Sequence, residues 1–177
     1  MYDGNNPAAL TSQRAIAAAM LELMRSEPYE NISVSAVCRL AGVSRQTFYS
    51  LFRSQDNVMV YLLRADACDA PRGGESASDA LRALCRSYSQ YVIRQEAVLR
   101  LLARNRRMAL LRDELRESFE GCGCFTRGVE PGLRPYAADF AAAALTSITE
   151  TFLRTDADPD TLEDTAWALL RGRLFEE

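Results

Sequence analysis

From Thr11 onward the chain places apolar side chains at Ile16, Ala19, Met20, Leu23 and Met24. This is the i, i+3, i+4 spacing of a helix with one buried face, and Pro28 marks its end. Residues 1 to 10 read as a frayed start. A second helix follows Ser33, which is placed to cap it. Val34, Val37, Cys38 and Ala41 share one face of that helix, and Ser35 and Arg39 point the other way. Gly42 supplies the left-handed residue with which helices often close. Ser44 then caps a third helix, with Val43 set to pack on Phe48 as a hydrophobic staple. Two short helices separated by a turn of about three residues make the punctuation of a helix-turn-helix.

The third helix has two faces. In "AGVSRQTFYSLF", residues 41 to 52, Phe48, Leu51 and Phe52 share one arc at 100° per residue, while Arg45, Gln46, Tyr49, Ser50 and, just beyond, Arg53 occupy a separate arc of roughly 140°. Ser54 caps a fourth helix with Val58, Tyr61, Leu62 and Ala65 inside, running to about Cys68. "DAPRGGESASD", residues 69 to 79, is the best boundary in the chain and divides it into a domain over 8–68 and another over 76–177. Beyond it, Leu81, Leu84, Cys85, Tyr88, Tyr91 and Val92 mark a long helix, and Val98, Leu99, Leu101 and Leu102 a shorter one. Residues 106 to 119 form the next, ended by the glycines of "GCGCFTRG". Pro135 opens an alanine-rich helix, and Asp158 with Pro159 begins the last in N-cap then N1 order. The expected class is all-α: an N-terminal three-helix helix-turn-helix domain followed by a C-terminal helical domain.

Composition narrows the chemistry. A chain of 177 residues, 48% hydrophobic and 25% charged, has enough apolar content for a real core. It contains no histidine, which excludes Ser/His/Asp and Cys/His nucleophile systems and histidine general bases. No P-loop, dinucleotide fingerprint or paired-carboxylate pattern is present, so the expectation is a protein that is not an enzyme and needs no cofactor. Five cysteines suit reduced thiols. Cys122 and Cys124 stand close together, but a metal site would need other cysteines to converge on them, and none is expected. With no apolar stretch approaching ~18 residues and no leader-like start, the chain is expected in the cytoplasm and not in a membrane. Net charge of −3 argues against coating nucleic acid by bulk positive field while leaving room for a local footprint.

The polar arc of the third helix holds what a major-groove reader requires. Arginine contacts guanine bidentately and glutamine contacts adenine, which gives Arg45 and Gln46 the role of base readers. Ser33, Ser35, Ser44, Thr47, Tyr49 and Ser50 suit phosphate contacts, with Arg53 adding charge. Tyrosine on a polar face gains little from packing but reaches a phosphate well. A solvated outer face would also explain these residues, and the preceding helix, the glycine turn and the aromatic pair favour the reader.

Residues 12 to 65 resemble the N-terminal domain of the TetR family of transcriptional regulators, through Arg14, Ile16, Ala18 and Ala19, "ISVSAVCRLAGVSRQTFYSLFRS" at 32 to 54, and Val58 and Leu62 after it. "RQTFY" is especially like the branch whose motif reads R-x-T-F-Y. The resemblance implies a homodimer that binds a palindromic operator in double-stranded DNA, and a C-terminal domain carrying the dimer interface and a small-molecule pocket. One departure stands out: where the family commonly places a phosphate-contacting lysine at the start of the fourth helix, this lysine-free chain has Gln55. Another is Ala36 three residues after Ser33, which leaves the capping box incomplete.

Beyond residue 75 the likeness is one of layout. By position the last two helices pair with their mates in a dimer, with Ala141, Leu145, Ile148, Phe152, Leu169 and Leu170 as interface residues; service in the core of one chain is the equal alternative. Pocket candidates are Tyr88, Tyr91, Leu102, Phe119 and Phe125, all of which also suit plain core. The arginines at 100, 104, 106, 107, 112 and 116 read as a solvated face, or as a contact for an anionic ligand or acidic partner. The function that fits is a dimeric repressor released by a small-molecule effector. An interaction protein acting mainly through a protein co-regulator is the alternative.

Overall fold

A computed structural model describes residues 2, 4–64, 77–121, 129–155 and 157–171 of the chain. Among the described residues there are nine α-helices, two 3₁₀ turns and no strand, so the protein is all-α. α1 (Pro7–Ser26) opens on Asn6, whose side chain accepts from the Ala8 amide at 3.0 Å, with proline in the first turn where its missing N–H is harmless. Tyr2 is held by hydrogen bonds, where the pattern suggests a frayed start. The Tyr2 amide donates to the Leu51 carbonyl at 2.9 Å, and the buried Gln13 side chain donates to the Tyr2 carbonyl at 2.9 Å. Both bonds join residues remote in sequence, which no local periodicity reports.

Ile16, Ala17, Ala19, Met20 and Met24 bury the inner face of α1 against α2 (Val34–Ala41), α3 (Arg45–Leu51) and α4 (Gln55–Arg64). Ser33 caps α2 by accepting from Ala36, and Gly42 closes it at φ 67, where a side chain would be strained. Val43, half-buried, packs into the same hydrophobic cluster as the fully buried Phe48. Four helices thus form one small unit with the α2–turn–α3 pair on its outside.

The second unit is built from α5 (Ala77–Arg94), α6 (Glu96–Arg104), α7 (Met108–Gly121), α8 (Arg134–Thr155) and α9 (Asp160–Leu170). α8 lies at its centre, packed on α6, α7 and α9, with its most extensive contact to α7. Ala138, Ala141 and Ala142 are buried along α8, and small side chains at a helix contact permit close approach of the axes. α9 begins at Asp160, and the Asp158 carboxylate accepts from the Asp160 amide at 3.0 Å, so the cap lies within a residue of its expected place. α6 and α7 are divided by Arg106 at φ 57, a left-handed turn made without glycine and closed by the Arg107 amide on the Leu102 carbonyl at 2.8 Å. Arg82 and Arg86 tie α5 to Glu163 on α9, and Arg82 also meets Asp164. No helix among the described residues is long and apolar enough to cross a membrane.

Burial gives the second unit a pH response. Cys85 is fully buried, and desolvation of its thiolate pushes the thiol from 9.0 to about 11. A raised folded-state value means that the stabilisation is complete below pH 9 and is lost as pH rises through 11. Urea melts at pH 8, 9, 10 and 11 should lose on the order of 2–3 kcal/mol more over that interval in the wild type than in Cys85→Ala. Parallel pH curves for the two proteins would contradict the assignment.

Candidate nucleic-acid interface

The sequence of α3 sorts its side chains onto two sides, and the structure keeps them there. Phe48 and Phe52 are fully buried and Leu51 nearly so. Their rings join an aromatic stack, with Phe48 and Phe52 centroids 6.1 Å apart and Phe52 edge-on to Tyr61 at 5.6 Å. Arg45, Gln46, Ser50 and Arg53 are exposed, Thr47 is half-buried, and Tyr49 stands 49% exposed with its ring edge-on to Phe48 at 5.5 Å.

The helix start is fixed by its own polar groups. Ser44 Oγ accepts from the Thr47 amide at 3.0 Å and lies 2.9 Å from the Thr47 hydroxyl, and Ser50 Oγ donates to the Thr47 carbonyl at 2.8 Å. Ser33 is likewise engaged as the α2 cap, with Ser35 exposed two positions further along. Ser33, Ser44 and Ser50 therefore already serve the backbone. Arg45, Gln46, Tyr49 and Arg53 have exposed side chains, Arg45, Gln46 and Tyr49 all on the outer side of α3. Gln55 differs from them: its side-chain amide donates to the Ile32 carbonyl at 2.6 Å, tying the start of α4 to the segment before α2.

Two helices joined by a tight left-handed turn, with an outer face of arginine, glutamine and tyrosine, have the geometry of a groove-reading unit. Residues 14–62 match the family profile described as bacterial regulatory proteins, tetR family. The chain carries a TetR-family N-terminal domain.

Over 62 residues the chain is 36% identical to the HTH-type dhaKLM operon transcriptional activator DhaS of Lactococcus lactis subsp. lactis (strain IL1403), a match covering 35% of this chain. It spans 33% of that relative's length. Likeness of fold extends further. The fatty acid degradation regulator FadR from Bacillus halodurans superposes with a TM-score of 0.57 at 17% identity, covering 99% of this chain and all of that one. NalD of Pseudomonas aeruginosa, the secondary repressor of the MexAB-OprM multidrug efflux pump, gives 0.56 at 19% identity over 90% of this chain and 95% of that one.

The TetR-family domain is joined to the second unit along α4, through contacts that the sequence pattern does not report. At its start, the buried Tyr29 hydroxyl donates to the Asp56 carboxylate, while the Arg107 guanidinium lies 4.0 Å from the Tyr29 ring centroid and 3.5 Å from Asp56. Burial and the adjoining carboxylate both hold the Tyr29 hydroxyl above its usual titration range. Beside them the Tyr29 amide donates to Asn105 Oδ1 at 2.9 Å. Farther along α4, Tyr91 donates to the Leu63 carbonyl at 3.2 Å and Gln95 to the Leu62 carbonyl at 3.3 Å. Arg64 meets Glu114 and Glu117 of α7. A lone tyrosine next to a proline, and single residues scattered over α5 and α7, give no pattern from which this joint is legible.

The remaining candidates divide by burial. Tyr88 is buried, with its hydroxyl 2.6 Å from the Thr149 hydroxyl and donating to the Leu145 carbonyl at 3.1 Å; Tyr91 donates to the Leu63 carbonyl of α4; Leu102 and Phe119 lie in the core. Phe125, like Cys122 and Cys124, falls outside the described residues. Ala141 and Leu145 are at most 2% exposed within a single chain, so they present no surface to a second copy. Ile148, Phe152 and Leu169 instead line a groove of about 230 Å³ between α8 and α9, and Leu170 is half-buried.

Proposed function

We propose that this protein is a TetR-type transcriptional regulator that works as a cytoplasmic homodimer, reads a palindromic operator in duplex DNA and represses until a small-molecule effector releases it. The observation that carries the reading is the placement of Arg45, Gln46 and Tyr49 together on the open side of a helix whose other side is locked by Phe48, Leu51 and Phe52. Arg45 and Gln46 supply base readout, Tyr49 and Ser35 phosphate contacts, and Arg53 takes the charged role that the family's lysine fills elsewhere. Gln55 acts from inside, by fixing α4 to the segment that precedes α2.

Dimerisation is supported by the outer side of the second unit. Tyr136 and Phe140 are 74% and 65% exposed on α8, on a face that continues through Ser147 and Thr151 into the α8–α9 groove. Exposed aromatic side chains on a face that leads into a groove suit a protein contact site. Effector control follows from α4. Because residues of α5, α6–α7 and α7 hold it at Asp56 and at Leu62 to Arg64, a ligand that favours another arrangement of those helices shifts the orientation of the reading unit.

A mobility shift and footprint on the DNA flanking the protein's own gene test this directly. The expected result is protection of an inverted repeat with half-site centres about 34–36 Å apart along the duplex. Absence of any shifted species at low salt, or a footprint without two-fold symmetry, would reject the proposal.

A further inference from the structure

The joint between the two units carries an open cleft that the proposed DNA-reading surface does not use. It has a volume of about 180 Å³, below the range of roughly 300–1,000 Å³ typical of drug-sized ligands, and so suits a small metabolite. Charged residues of opposite sign line it, contributed by different elements. Glu27 and Glu30 come from the end of the TetR-family domain's first helix and the turn after it, and Arg104 and Arg106 from the α6–α7 corner. None of these four makes an ion pair among the described residues, whereas Arg25, also in the lining, is held by Glu22 at 2.9 Å.

Backbone geometry adds an independent observation. Arg106 sits at φ 57, the single positive-φ residue other than glycine among the described residues, at a helix-closing position where glycine is the unstrained choice. A strained arginine held beside a cleft points to a use for its side chain. Asn105 also lines the cleft; its Oδ1 accepts from the Tyr29 amide at 2.9 Å and its Nδ2 donates to the Leu101 carbonyl at 2.8 Å.

We propose that this cleft binds a small zwitterion with the charge pattern of an α-amino acid, its ammonium facing Glu27 and Glu30 and its carboxylate facing Arg104 and Arg106. A guanidinium pair recognises a carboxylate with directional, charge-assisted hydrogen bonds, and carboxylates accept all three ammonium protons in the same way. An anion alone would leave the two glutamates uncompensated, and a cation alone the two arginines. Occupancy braces the Tyr29–Asn105 hydrogen bond from both units and so bears on the position of α3. Binding stands apart from the DNA-reading proposal, and only this regulatory consequence rests on it.

The test is thermal unfolding of the full chain with each of the twenty standard α-amino acids at millimolar concentration, beside sodium acetate and methylammonium chloride. At least one amino acid is expected to raise the Tm by several degrees while neither single-charge control does. Arg106→Gly relieves the backbone strain and should raise the Tm of the free protein while abolishing the ligand-induced rise; Glu30→Gln should abolish it too. A retained Tm in Arg106→Gly separates loss of the site from loss of the fold. Operator affinity measured with and without the same amino acid should change in the wild type and not in Arg106→Gly. No rise with any of the twenty, a rise undiminished in both variants, or an equal rise with acetate would overturn the proposal. A rise lost in both variants supports it, even if operator binding fails.

Discussion

Replacing Arg45 with alanine is expected to relax sequence discrimination, whereas replacing Tyr49 should weaken all sequences alike. The guanidinium of Arg45 is exposed at the first position of α3, the end that a helix-turn-helix presents to base edges. A bidentate arginine–guanine pair contributes about 1–3 kcal/mol of discrimination, so each half-site should lose roughly 5- to 150-fold in preference for its operator base, and a dimer loses it twice. Tyr49 carries no charge, and its hydroxyl suits a phosphate. Tyr49→Ala should therefore lower affinity for operator and unrelated DNA by the same factor, leaving the slope of log affinity against log salt unchanged. Anisotropy titrations with operator and with each single-base variant, at two salt concentrations, check both expectations. Equal specificity in Arg45→Ala and the wild type would remove the reading face from α3.

The larger energetic effect is expected inside. Phe48 has no exposed surface and stacks between Tyr49 and Phe52. Phe48→Ala removes most of its apolar area and leaves a cavity, at a cost of about 3–5 kcal/mol. Since a domain's whole stability is on the order of 5–15 kcal/mol, this one change removes a large part of it. Urea denaturation should show a far lower midpoint for Phe48→Ala. Tyr49→Ala, one residue away but half in solvent, should shift it by no more than about 1 kcal/mol. A Phe48→Ala midpoint near that of the wild type would mean that the buried arc does not anchor α3, and the exposed arc would lose its fixed orientation as well.

Much of this was legible in the chain because it is local. A capping serine, a left-handed glycine and apolar residues at helical spacing act within one or two turns, and so the α2–Gly42–α3 unit and the inward set of Phe48, Leu51 and Phe52 follow from position alone. Tyr88 and Leu145 show where such reading stops. Helical spacing says that a residue faces inward, but whether inward means a ligand pocket, a partner or a core depends on what lies opposite. For Tyr88 that is Thr149, 61 positions away, and for Leu145 it is the interior of the same chain. Gln55 changed in meaning for a similar reason: its place at the start of α4 matches a phosphate-contact position, and its amide is turned inward to the Ile32 carbonyl.

By itself the sequence determined the all-α class, the α2–Gly42–α3 helix-turn-helix and the absence of histidine chemistry, since each depends on composition or on residues a few positions apart. Tertiary structure alone decided how the two units are joined. The Tyr29–Asp56–Arg107 cluster, the hydrogen bonds of Tyr91 and Gln95 to α4, and the charged cleft beside Asn105 bring together residues from α1 to α7. Hydrogen bonds and ion pairs of that span leave no periodic trace, because their partners are chosen by the packing of helices and not by spacing along the chain.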